Sequence, residues 1–148
     1  MPVVFHFRVS FGPDTEDGDG RFQEVSGLTA EVSVEEYREG GLNVHAHRLP
    51  TGAKYGNLVL KRGYMSGTAV EKWCREAIEQ FVFAPKDIDV VLLNEEHQPL
   101  AQWSFTRAYP VKWSLSDLKA QDNAIAIESI ELAYRSFAYQ SLEKKSPG

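Results

Sequence analysis

The chain has 148 residues but only one cysteine, Cys74, no long apolar run and no surplus of positive charge. Each shortage removes a class of protein. A lone thiol closes no internal disulfide, so the staple of small secreted domains is missing and a reducing compartment is expected. No stretch approaches the roughly 20 apolar residues that a membrane-spanning helix needs. Residues Met1 to Phe11 alternate polar with apolar side chains, unlike the core of a signal peptide, so a cytoplasmic product without membrane insertion is expected. Sixteen Lys and Arg against 21 Asp and Glu give a formal charge of −5. Long-range attraction to a nucleic-acid backbone is therefore not expected, and neither is specific nucleic-acid binding.

Motifs for catalysis are scarce as well. There is no nucleophile elbow, P-loop or dinucleotide fingerprint, and Thr51 to Lys54 (TGAK) lacks the upstream glycine spacing of a phosphate cradle. Cys74 falls on the apolar stripe of a predicted helix, the setting of a buried, inert thiol. His6 and His97 show no partner in the sequence. His45 and His47 project to one side of an extended segment near Glu36 and Glu39, yet no spacing fixes a third and fourth ligand, which favours polar loop side chains over a metal site. The acidic stretch PDTEDGDG places Gly18 and Val25 where a calcium loop counted from Asp14 needs oxygen ligands, so a solvated turn is expected. No enzymatic activity, cofactor or metal is expected.

What is present is a patterned, foldable chain. Hydrophobic residues make up 43%, charged 25% and aromatic 11%, a mixture typical of folded proteins, and the length fits one domain spanning 1–148. Strand periodicity runs through Val3 to Phe11, where Phe5, Phe7, Val9 and Phe11 share a face. It returns near Phe22, then over Leu28 to Glu35, where Leu28, Ala30, Val32 and Val34 oppose the wholly polar Thr29, Glu31, Ser33 and Glu35. Residues 38–54, with Gly40, Gly41, Pro50 and Gly52, break the rhythm and predict a long irregular arm. Gly56 to Arg62 is again a strand.

One helix is expected over 68–81, opened by Thr68 and Glu71 as a capping box, with Val70, Trp73, Cys74, Ala77, Ile78 and Phe81 as its buried stripe. Ile88 to Leu92 and Leu100 to Thr106 form a hairpin. Tyr109 to Leu115 is a further strand with an edge or bend at Pro110. A long final strand, Ala124 to Phe137, changes phase between Ile127 and Ile130, which predicts a bulge near Glu128 or Ser129. A flexible tail is expected over 138–148. Trp73, Trp103 and Trp113 all fall on apolar faces and are assigned to the core. The expected fold is mainly β: two packed antiparallel sheets forming a sandwich or partly closed barrel, with one flanking helix.

The blocks FQEVSGLTAEVSVEEYREGG, LPTGAKYGNLVLKRG, the helix with KWC, and WSLSDLKAQDNAIAIESIELAY occur in this order between about Phe5 and Tyr134. Together they closely resemble the tail-tube proteins of contractile phages and extracellular contractile injection systems, a family related to the type VI secretion tube protein. The resemblance implies self-association into hexameric rings stacked as a hollow tube. Sheath, baseplate or spike, and cap proteins are the implied partners, with cargo in the lumen. It further implies assembly in a bacterial cytoplasm and incorporation into a phage tail or a released particle.

Within that frame Thr29, Glu31, Ser33 and Glu35 are candidates for the channel wall. Arg38, Glu39, Gly40 and Gly41 are candidates for contact between subunits, joined by Lys54, Tyr55, Lys61 and Arg62. The same family fold also serves as an initiator ring joining tube to baseplate. A monomeric β-barrel that binds a small ligand is a third reading, without a pocket signature in the sequence.

Overall fold

The computed structural model describes residues 6–12, 21–38, 46–116 and 126–142. In chain order the elements are β1 (His6–Ser10), β2 (Arg21–Phe22), β3 (Glu24–Ser26), β4 (Ala30–Arg38), β5 (Ala46–Tyr55) and β6 (Leu58–Gly63). Then follow α1 (Ala69–Glu79), β7 (Lys86–Leu93), β8 (Pro99–Leu115), β9 (Ile127–Ala133) and β10 (Ser136–Ser141). The architecture is mainly β with one helix: an eight-stranded antiparallel array that folds into two sheets, plus the separate two-stranded β4–β5 pair, and it is not a closed barrel.

The 17-residue β8 belongs to both sheets. Its first part lies between β7 and β10, and the first sheet runs β2-β1-β7-β8-β10. Its second part, from Tyr109, pairs with β9, and the second sheet runs β8-β9-β6-β3. The change of partner falls where the backbone is least regular. Arg107 has a φ of 54°, and the register against β9 shifts between Pro110 and Lys112. Bulges are the usual device by which one strand turns from sheet to sheet. Pro110 is tolerated there because it lacks the N–H that a regular ladder would require. The sequence pattern predicts two strands here, Leu100 to Thr106 and Tyr109 to Leu115, with an edge or bend at Pro110; the structure joins them into one.

Alternation explains the core. Val9 of β1, Ile88 and Val90 of β7, Phe105 of β8, Leu58 and Leu60 of β6, and Ile130 and Leu132 of β9 are all buried in one cluster. Helix α1 closes it with Val70, Trp73 and Cys74, and packs on β8. The Trp73 indole N–H donates to the carbonyl of Ala84 at 2.8 Å, which satisfies its single polar atom. At the helix start the Glu71 N–H donates to Thr68 Oγ1 at 3.1 Å, while Glu71 Oε2 accepts from the Gly67 N–H at 2.9 Å. The reciprocal cap is present, reaching one residue further back than the usual capping box.

Four further expectations change. The final strand is two, β9 and β10, separated at Tyr134 and Arg135. β9 pairs with β6 in continuous register from Leu58↔Leu132 to Gly63↔Ile127, so the phase change at Glu128 is not a bulge. β10 extends to Ser141 and pairs with β8, so the stretch from 138 to 141, expected to fray, is strand. The arm expected to be irregular is instead a β-hairpin, with β4 and β5 pairing from Ala30↔Tyr55 to Arg38↔Ala46.

Candidate assembly interface

The β4–β5 hairpin forms a two-stranded sheet of its own. Its register puts Ala30 opposite Tyr55, Val32 opposite Ala53 and Val34 opposite Pro50, and cross-strand partners share a face. The other face pairs Glu31 with Lys54, Ser33 with Gly52 and Glu35 with Leu49. Thr51 is the extra residue of a bulge between these sets, and its hydroxyl donates to the Ser33 carbonyl at 3.2 Å. The hairpin is therefore amphipathic, yet its apolar face is largely uncovered: Val32 is 61% and Val34 53% exposed. Among the described residues its root is tied to the body, where the Tyr55 ring lies 5.2 Å from that of Phe137 and 5.9 Å from that of Tyr134.

The turn into this hairpin depends on Gly27, whose φ of 85° favours glycine and where a Cβ would overlap the carbonyl of Asn57. Thr29 follows as an exposed residue, its N–H donating to Gly27 O at 2.8 Å and its carbonyl accepting from Gly56 N–H at 3.3 Å. Glu31 and Glu35 are exposed and Ser33 is half-buried on one face of β4, shared with the exposed Leu49, and Thr29 lies just before the strand. Arg38 ends β4. Glu39, Gly40, Gly41 and His45 lie outside the described residues.

Among the remaining contact candidates, Lys54 is exposed, Tyr55 is half-buried at the hairpin root, and Lys61 is half-buried on β6. Arg62 must be reassigned. It is 2% exposed, and its Nε lies 2.9 Å from Glu128 Oε1, itself 0% exposed. Trp113 Nε1–H donates to the other carboxylate oxygen at 2.9 Å, Arg62 Nη2 donates to Thr68 Oγ1 at 3.3 Å, and the guanidinium sits 4.6 Å from the centre of the Phe22 ring. This network ties β6, β8, β9, β2 and the start of α1 together inside the subunit, which removes Arg62 from any surface. The sequence signal for it was present: Glu128 is in phase with Ile130 and Leu132, and Arg62 with Leu58 and Leu60.

Burial, with a further push from the Glu128 charge, raises the Cys74 thiol to about 12, so it stays protonated. His6 and His97, apart in sequence, stack with ring centres 5.4 Å apart. Among the described residues no group of three or more His, Cys, Asp or Glu is placed to hold a metal, and no helix is long and apolar enough to cross a membrane.

Unpaired strand edges among the described residues include the outer edge of β10, the side of Tyr109–Leu115 facing away from β9, the terminal strands β2 and β3, and both outer edges of the β4–β5 hairpin. Isolated hairpins and open edges are the features that assembly normally covers. The profile described as T4-like virus tail tube protein gp19 matches residues 3–138. The chain belongs to the T4-like tail tube family. Its members are structural proteins, and the chain is not an enzyme.

The fold is similar to that of a chain in the cryo-EM structure of the anti-feeding prophage baseplate, with 28% identity over 97% of both chains and a TM-score of 0.78. It is also similar to a chain in the sheath-tube complex of the extracellular contractile injection system PVC in its extended state, with 26% identity, 96% and 92% coverage and a TM-score of 0.71. Hcp1 from Flavobacterium johnsoniae shares the fold alone, at 16% identity over 97% and 99% of the two chains and a TM-score of 0.53. Comparison with curated sequences gives no match. The tail tube relatives are thus components of multi-subunit phage tails or extracellular contractile particles.

Proposed function

We propose that the chain is the repeating inner-tube subunit of a contractile injection machine, assembling into hexameric rings that stack around a channel. The observation that carries this reading is the amphipathic β4–β5 hairpin, mostly polar on one face, which holds Leu49 as well, and uncovered at Val32 and Val34 on the other. A two-stranded sheet is marginally stable alone, and its apolar face gains most when a neighbouring subunit covers it. The opposite face then meets water, which suits a wet channel wall of Thr29, Glu31, Ser33 and Glu35. Lys54, Tyr55, Lys61 and the segment from Arg38 to Gly41 remain the candidates for contact between subunits. Six-fold order is the symmetry of the baseplate structure that the chain resembles. The mechanism is mechanical: a sheath supplied by other proteins drives the tube through a target envelope, and the tube, ended by spike and cap proteins, carries protein cargo. Assembly takes place in the bacterial cytoplasm before the particle is released.

A second reading, an initiator ring that joins tube to baseplate, is favoured by the fuller match to the baseplate chain, with a TM-score of 0.78 against 0.71 for the sheath-tube chain. Negative-stain electron microscopy of the purified protein tests both. Long hollow filaments are expected for the tube subunit, and single or paired rings for the initiator. A monomer at every concentration overturns the two together.

A further inference from the structure

The hairpin's apolar face needs a complementary surface, and the chain carries a second uncovered apolar patch elsewhere. Ile78 at the end of α1 and Phe81, Val82 and Phe83 just beyond it are exposed, as are Tyr109 and Val111 on the open-edged half of β8. Three of them, Phe81, Phe83 and Tyr109, form a connected aromatic surface. The Phe81 and Phe83 rings meet edge to face at 4.8 Å, and Phe83 meets Tyr109 in the same way at 5.8 Å. Residues that continue the helix stripe in sequence thus escape the core and gather on the outside.

Phe81 is the most unusual member. It is 80% exposed and holds a φ of 57°, directly after the C-cap Gln80. Glycine is the low-cost residue for a left-handed turn at a helix end, and a bulky side chain there is strained. The subunit gains little in exchange, because the ring's aromatic partner, Phe83, is itself exposed. Backbone strain spent on displaying an aromatic ring to solvent points to a contact made outside the subunit.

We infer that this aromatic patch is the socket for the apolar hairpin face of a second copy of the chain. The inference rests on the tube reading and names the surfaces that meet in it. Two dissimilar uncovered apolar surfaces on one chain are what a heterologous contact requires, and such contacts close into rings or extend into tubes. Among the described residues β4 and β5 pack extensively on each other and on no other element, so the apolar face is not used within its own subunit. The charged groups around the patch are Arg107 and Lys112, both exposed along β8, and on the helix side Glu76 and Glu79, the latter beside Arg75 at 3.7 Å.

Two experiments test this. Phe81→Gly removes both the ring and the strain, so the free subunit should melt at a higher temperature while the yield of rings or tubes falls severalfold. Phe83→Ala should lower the yield without raising the melting temperature. In the second experiment, Val34→Cys and Phe83→Cys variants are mixed, assembled and treated with a short thiol cross-linker, the buried Cys74 being unreactive. Mixed dimers are expected, with few from either variant alone or from Val34→Cys mixed with Lys72→Cys on the solvent face of α1. Tubes at wild-type yield from both Phe variants overturn the contact alone, as does cross-linking to Lys72→Cys as efficient as to Phe83→Cys. A wild-type protein that never assembles overturns the tube reading, and this contact with it.

Discussion

Glu128 occupies a position where the strand pattern calls for an aliphatic side chain, and it is held there by Arg62 and Trp113 rather than by water. A buried ion pair is weak support for stability overall, because desolvation offsets most of the attraction, but removing one partner strands the other charge. Glu128→Leu should therefore destabilise the subunit by about 3–5 kcal/mol in urea unfolding. The double variant Arg62→Met/Glu128→Leu should recover most of that loss. Failure of the second change to help would mean that the arginine finds another partner. The same residue shows where the sequence reading went astray. A carboxylate in an apolar phase reads as a slip of register, and only the arginine across the ladder, far away in sequence, reveals it as a continuous strand.

Among the elements, the hairpin was the least legible. Gly40, Gly41, Pro50 and Gly52 are strand breakers in a paired, central strand, but in a two-stranded ribbon Pro50 sits beside a bulge where a missing N–H matters little. Its partner strand β4 was legible as far as Glu35, because Val32 and Val34 alternate with Glu31, Ser33 and Glu35. Helix α1 was readable for a similar reason, in its cap and in the buried Val70, Trp73, Cys74 and Ala77. The pattern could not tell that the sheet stops before Ile78 and Phe81, since an apolar stripe looks alike whether a subunit or its neighbour covers it. Because Ala30 and Tyr55 are cross-strand partners, residues 31–54 can be replaced by a two-residue Asn-Gly turn. The shortened protein should keep its thermal melting transition within a few degrees and lose all rings in electron microscopy. Rings of normal diameter would remove the hairpin from the assembly.

For the whole molecule, the division between what folds the subunit and what joins subunits is sharp. The buried cluster and the Arg62–Glu128 network lie within the two sheets, whereas the exposed carboxylates Glu31 and Glu35 lie on the hairpin. If those carboxylates face a channel, their charge plays no part in joining copies. Glu31→Gln/Glu35→Gln should then assemble with wild-type yield and length, counted on micrographs. Loss of tubes in that variant would move both residues from the channel wall to an interface.

The 17-residue strand shared by both sheets bears on how such a subunit carries force. Stress entering through the first layer passes into the second along one unbroken stretch of covalent backbone, without crossing a turn that can open. Shearing the layers apart means stripping that strand from β7 and β10 along its first part or from β9 along its second, so each subunit should yield late and all together. A needle built from such parts stays straight under a blow.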